Sequence, residues 1–185
     1  MNNIPNIVSG LRILFIPIFS FYVLNQQYDI AMYIFIIMGL TDCIDGSLAR
    51  YFNCESLIGA YLDAIADKVM INTAFLILCS INILPYYLLI LAILRDLIIL
   101  TGIIIKNKNN NYQGMCPIFL SKVNTFMQIL LVISCMLFLN SYLDIAYIQD
   151  IINVVILTTI ASALEYIYNY KNDILIKNIK LTSNI

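Results

Sequence analysis

TDCIDGSLARYFNCESLIGAYLDAIADKV, residues Thr41 to Val69, sets five carboxylates beside Arg50 and Lys68 in a chain otherwise rich in Ile, Leu, Phe and Tyr. The chain has 185 residues, of which 62% are hydrophobic and only 11% charged; its mean hydropathy is +0.89. A soluble domain of that composition could not cover its surface. An all-α integral membrane protein is predicted instead, and the acidic stretch is its anomaly.

Apolar runs long enough for a hydrocarbon layer of roughly 30 Å are read at about 6–24, 29–50, 57–82, 85–106, 117–141 and 146–169. They predict six transmembrane helices in a single domain, 1–185. "MNNIPNIVSGLRI" enters the first run almost at once, with no signal or transit sequence read ahead of it. That favours a mature chain in a bacterial inner membrane, or the mitochondrial inner membrane if the chain is eukaryotic.

All ten Lys and Arg lie at or near one side of this arrangement, and the opposite loops, near 25–29, 82–85 and 141–147, contain none. By the positive-inside rule both termini, the 50–56 loop and the 107–116 loop face the cytoplasm or matrix. Net charge is −1, so no basic face for nucleic acid exists. The five cysteines, Cys43, Cys54, Cys79, Cys116 and Cys135, are scattered and odd in number, and read as small apolar side chains. Histidine is absent, which removes every mechanism needing an imidazole. "KNKNNN" at 106–111 reads as a solvated loop before Pro117, where the fifth helix would start. The tail after Lys171 reads as an interfacial amphipathic piece or a frayed end.

Counted from the charged side at about 1.5 Å per residue, Arg12, Asp42, Asp67, Arg95, Lys122 and Glu165 all fall within about 8–16 Å of one membrane face. A charge facing lipid there costs at least about 2.5–3.5 kcal/mol. These groups should therefore face one another or water, in one polar active-site cavity in the cytoplasmic half.

Asp42 and Asp45 are three apart on the second helix, Asp63 and Asp67 four apart on the third, so each pair shares a face. The short connection around 51–56 makes the helices antiparallel neighbours with those faces opposed. Four carboxylates so close cannot all ionise uncompensated in a low dielectric. Oxygen ligands without Cys or His suit Mg²⁺ or Mn²⁺, and two ions per site is the stoichiometry that clamps a phosphoryl displacement. Gly46, Ala49, Gly59, Ala60, Ala64 and Ala66 leave room for a ligand against the backbone, or for close helix packing.

Asp42, Asp45, Gly46, Ala49, Arg50, Gly59, Asp63 and Asp67 match, at every spacing, the signature D-x2-D-G-x2-A-R-x8-G-x3-D-x3-D, and on those positions the chain resembles the CDP-alcohol phosphatidyltransferases. The resemblance implies a six-helix membrane enzyme, usually a homodimer, that moves a phosphatidyl group from CDP-diacylglycerol to an alcohol and releases CMP. It implies metal ligation by Asp42, Asp45, Asp63 and Asp67, with Asp67 also the general base. It further implies CDP-diacylglycerol binding by Gly46, Arg50 and Ser56, joined by Asn6, Ala49 and Gly59. Ala64 stands where relatives usually have proline, which a helix tolerates more easily.

Within the family, "NIPNIVSGLRI", "YDIAMYIFIIMGLTDCIDG", "LRDLIIL" and "FLSKVNTFMQILLV" resemble the CMP-forming cardiolipin synthases of eukaryotes and alphaproteobacteria. The competitor is the phosphatidylglycerophosphate synthases, whose fourth helix carries R-E with a second Arg eight residues on and whose fifth carries G-K-x-K-T. This chain has Asp96 after Arg95, Ile103 at the second Arg and Asn124 at the second Lys. Glycerol 3-phosphate carries nearly two charges and phosphatidylglycerol one, so two missing cations favour the lipid acceptor. Arg95 and Lys122 are the expected phosphate holders, with Asn124, Thr125 and Gln128 beside them. The phospholipase D-like route to cardiolipin needs paired histidines and is closed. A cation channel or transporter would spread its acids through the bilayer depth, often with repeat symmetry; here they stop in one half.

Overall fold

A computed structural model describes residues 4–51, 57–108 and 119–182, with side chains at 12–41, 65–101 and 119–169. The described residues form six α-helices: α1 (Ile4–Leu24), α2 (Tyr28–Tyr51), α3 (Leu57–Ser80), α4 (Tyr86–Lys108), α5 (Phe119–Leu139) and α6 (Ile145–Thr182). Their bounds follow the six apolar runs except at the end. α6 continues without a break to Thr182, so the tail is the last part of one helix rather than a separate piece or a frayed end.

Three turns share one design. Gln26, Asn82 and Ser141 adopt φ of 61°, 60° and 64°. At each, the amide of that residue donates to the carbonyl three back, and the next amide donates to the carbonyl five back: Gln27 to Tyr22 at 2.9 Å, Ile83 to Leu78 at 3.0 Å, Tyr142 to Leu137 at 2.9 Å. This is the Schellman closure, which satisfies carbonyls that a helix end leaves orphaned. None of the three is glycine, the residue that takes a left-handed φ without steric cost. The closures join α1 to α2, α3 to α4 and α5 to α6 as antiparallel hairpins with their turns at one end of the bundle.

α3 is the central element, packed against α1, α4 and α5, while α6 packs on α4 and α5, and α2 on α1 and α5. Phe19, Val23, Phe35, Met38, Phe75, Leu78, Leu131, Met136, Ile152 and Val155 fill the interior toward the turn end. Phe19 and Phe35 meet at 5.5 Å between ring centroids. Cys79 and Cys135 are free thiols buried in this core, as expected of small apolar side chains; Cys43, Cys54 and Cys116 lie outside the described side chains.

The outer face is apolar as well. Leu14, Phe21, Leu40, Leu94, Phe126, Leu157 and Leu164 are exposed, while Arg12, Arg95, Asp96, Asn124, Gln128 and Ser162 are buried. Water would favour the opposite arrangement; a hydrocarbon surround favours this one, since a charge facing lipid is costly. Among the described residues, 119–139 and 145–169 are long and apolar enough to cross a membrane, and 12–24 and 28–41 are shorter apolar helices.

Candidate active site

Arg12 and Asp67 meet where α1 packs on α3. Arg12 Nη1 donates to Asp67 Oδ1 at 2.6 Å. The arginine side chain is 1% exposed and the aspartate 30%. The cation is thus sealed between helices while the carboxylate stands at the edge of the interior. A charge-assisted contact this short is about twice as strong as a neutral one.

Lys68 follows directly and turns to the next helix. Its Nζ lies 2.8 Å from Asp96 Oδ1 on α4, an ion pair. The same oxygen accepts from Arg95 Nη1 at 2.8 Å. Arg95 is 1% exposed, and its remaining donors are directed to two serines. Nη2 reaches Ser121 Oγ on α5 at 2.5 Å and Ser162 Oγ on α6 at 3.0 Å, and Nε reaches Ser162 Oγ at 3.3 Å. The planar guanidinium fork lets one residue tie three helices, which an ammonium could not do.

Asp67, Ser121 and Ser162 lie in the part of the bundle away from the three turns, while Arg95 is about 14 Å along α4 from its turn at Tyr86. At about 1.5 Å per residue, Asp67 is about 20 Å along α3 from its turn at Ser80. Ser121 and Ser162 lie about 26 Å from the α5–α6 turn by the same measure. Two ion-pair groups, Arg12–Asp67 and Lys68–Asp96–Arg95, meet at consecutive residues of α3. Arg12, Asp67, Lys68, Asp96 and Arg95 together carry one excess positive charge, which suits a site completed by further carboxylates.

On α5 the polar side chains turn toward α6. Asn124 Oδ1 accepts from Thr158 Oγ1 at 3.0 Å and Thr159 Oγ1 at 2.8 Å. Its Nδ2 is buried without a hydrogen-bond partner, as is Nε2 of Gln128 one turn later, and Glu165 Oε2 is likewise enclosed and unpartnered. Buried donors left unpaired cost about 1–3 kcal/mol each, so such a pair points to a water or ligand oxygen. Thr125 spends its hydroxyl on the Ser121 carbonyl at 3.1 Å, and Lys122 is exposed.

Of the expected site residues, the structure therefore brings Asp67 to Arg12, sets Arg95 into a four-helix network, and places Asn124 and Thr125 on the same helix as Lys122. Asn6, Asp42, Asp45, Gly46, Ala49, Arg50, Ser56, Gly59 and Asp63 lie outside the described side chains. Among the described residues no three acidic or cysteine side chains converge on a point. Sequence reasoning did not find Ser121, Ser162, Thr158 and Thr159. Hydroxyls at the depth of Arg95 and Asn124 were the available signal, but they are common in membrane helices.

Residues 2–164 match the family model described as CDP-alcohol phosphatidyltransferase. The chain is 32% identical over 184 residues to a cardiolipin synthase (CMP-forming) of Rattus norvegicus, covering 90% of this chain and 61% of that protein. It is 31% identical over 184 residues to a Homo sapiens protein of the same name, with the same coverage. It is also 34% identical over 179 residues to a CDP-diacylglycerol–glycerol-3-phosphate 3-phosphatidyltransferase of Blochmanniella floridana, covering 94% of this chain and 93% of that protein. The chain thus spans about three fifths of the length of the rat and human relatives.

Proposed function

The chain belongs to the CDP-alcohol phosphatidyltransferase family and is an enzyme of that kind, and from that premise we propose that it is a CMP-forming cardiolipin synthase, transferring the phosphatidyl group of CDP-diacylglycerol to phosphatidylglycerol. The observation that carries the acceptor reading is the pair of missing cations, Ile103 and Asn124. A phosphodiester needs less positive charge than a phosphomonoester. The rat and human relatives support it. The Blochmanniella relative, matched over nearly its whole length, favours the second reading, glycerol 3-phosphate as acceptor and phosphatidylglycerophosphate as product.

Asp67 is the proposed general base, taking the proton of the attacking hydroxyl. Its exposure beside a sealed Arg12 suits a carboxylate that is oriented and still reachable. Gly46, Arg50 and Ser56, with Asn6, Ala49 and Gly59, hold the CDP portion in this reading. The all-oxygen donor set and the half-exposed Asp67 fit a hard dication. Asp42, Asp45, Asp63 and Asp67 would hold Mg²⁺ or Mn²⁺, two ions per site, which polarise the diphosphate and neutralise the departing CMP when bound.

For the acceptor we assign its phosphate to Arg95, Lys122, Asn124 and Thr125. The unpartnered Nδ2 of Asn124 and Nε2 of Gln128 support that assignment, because both are donors awaiting an acceptor. The apolar outer faces support six membrane spans. A homodimer with termini and active site on the cytoplasmic or matrix side, in a bacterial or mitochondrial inner membrane, completes the proposal.

The test is CMP release by the purified protein in detergent with Mg²⁺ or Mn²⁺ and CDP-diacylglycerol, offered phosphatidylglycerol or glycerol 3-phosphate, with Asp67→Asn as control. Cardiolipin formed only from phosphatidylglycerol is expected. Phosphatidylglycerophosphate as the sole product would replace the acceptor reading, and metal-independent turnover would overturn the catalytic one.

A further inference from the structure

Asp67 and Lys68 are consecutive on α3, so their side chains leave the helix about 100° apart. Each is tied to a different neighbouring helix: Asp67 to Arg12 of α1 at 2.6 Å and Lys68 to Asp96 of α4 at 2.8 Å. α1 and α4 both pack on α3, and among the described residues they do not pack on each other. The two ion pairs therefore pull on α3 from separate sides.

In both pairs the anchor side chain is more deeply buried than the side chain it holds, although the Lys68 Nζ atom is itself buried. Arg12 is 1% exposed and Asp96 8%, against 30% for Asp67 and 29% for Lys68. Asp96 is fixed in turn, since the oxygen that faces Lys68 also accepts from Arg95, whose guanidinium is bound to Ser121 and Ser162. The anchor on α4 is thereby tied to α5 and α6. Among the described residues, the buried apolar side chains beside them are Ala66, Met70 and Ile71, whose packing holds α3 in the bundle while the two ion pairs set the direction of the charged groups.

We propose that Asp96 is a positioning residue for Asp67: the Lys68–Asp96 pair, opposed by Arg12–Asp67, fixes the rotation of α3 and so the direction of the Asp67 carboxylate. The inference rests on the reading of Asp67 as the general base. Asp96 does not touch the reacting atoms; it acts through Lys68 and the helix.

The experiment uses the full chain in detergent, with Asp96→Asn, Asp96→Glu, Lys68→Gln and Asp67→Asn compared with the natural sequence. CMP release gives kcat and KM, and spin resonance of Mn²⁺ added to the substrate-free protein gives a readout independent of turnover. Misdirecting a reacting group by a fraction of an ångström to 1 Å should lower kcat about 10–100-fold in Asp96→Asn and Lys68→Gln, with KM for CDP-diacylglycerol within about twofold. Asp96→Glu, which keeps the charge, should recover to within about threefold of the natural kcat. Mn²⁺ binding should weaken in the same two variants and recover in the third.

A folded Asp96→Asn with natural kcat and Mn²⁺ binding would overturn the proposal, as would a loss that Asp96→Glu fails to restore. If Asp96→Asn does not fold, Lys68→Gln decides on the same criteria. Asp67→Asn separates the two layers: an inactive Asp67→Asn beside a fully active Asp96→Asn removes the clamp alone, while an active Asp67→Asn removes the general-base reading and the clamp with it.

Discussion

Arg12 Nη1 lies 2.6 Å from Asp67 Oδ1, joining the first helix to the last aspartate of the signature. The arginine is sealed at 1% exposure, and deleting its charge removes one member of a partly buried pair. Arg12→Met should cost about 2–4 kcal/mol, below the range for fully buried pairs because Asp67 is partly exposed. Arg12→Lys should cost less, since an ammonium still offers charge but not the fork. Unfolding in detergent, followed by circular dichroism, checks the order; equal losses in the two variants would show that shape rather than charge holds α1 to α3.

Arg95 reaches three helices through three nitrogens. Lysine lacks the planar fork whose Nη1 faces Asp96 while Nη2 faces Ser121 and Ser162. Arg95→Lys should lose two or three hydrogen bonds, about 2–4 kcal/mol in all. Ser162→Ala, which removes one partner of a charged donor, should cost about 1–2 kcal/mol. The measurement is the melting temperature of each variant at fixed detergent and protein concentration.

Much of this was legible in the sequence. Six apolar runs located six helices because their lengths match a hydrocarbon layer and the three turns free of Lys and Arg separate them cleanly. The signature from Asp42 to Asp67 pointed to the chemistry, since carboxylates three and four apart share a helix face; the opposed α2 and α3 faces expected from their short connection are not seen among the described residues, where α2 packs on α1 and α5. Other features were not legible. That Lys68 would pair with Asp96 depends on the rotation of α3 against α4, which no periodicity specifies. The Asn124–Thr158–Thr159 contact depends likewise on which faces of α5 and α6 meet. The helical tail was misread because Lys and Ile mixed at short spacing fit an interfacial piece as well as the end of a longer helix.

The three left-handed turns give a stability prediction that does not involve the site. Gln26 and Ser141 carry side chains at φ near 60°, a conformation costing roughly 1–2 kcal/mol relative to glycine. Part of that is offset by the greater freedom of glycine in the unfolded chain. Gln26→Gly and Ser141→Gly should each stabilise by about 0.5–1 kcal/mol, and Asn82→Gly by less, because asparagine tolerates this region. Thermal unfolding of the three single variants tests the ranking; a loss at Gln26→Gly would mean that its side chain contributes more than the strain it carries.

Gln128 bears most directly on the acceptor. Its Nε2 and the Nδ2 of Asn124 are buried donors without partners, one turn apart on α5, while the Asn124 oxygen is occupied by Thr158 and Thr159. If they serve the acceptor phosphate, Gln128→Leu removes one donor to an anion, worth about 1.5 kcal/mol, and KM for phosphatidylglycerol should rise about tenfold with KM for CDP-diacylglycerol unchanged. If they serve only helix packing, the same substitution replaces an unsatisfied buried polar group by an apolar one of similar size, which stabilises the fold. Steady-state kinetics with each lipid varied in turn, together with the melting temperature of the same preparation, separates the two cases. A selective rise in the acceptor KM supports the assignment on α5, and a more stable protein with both KM values unchanged would remove Gln128 from the site.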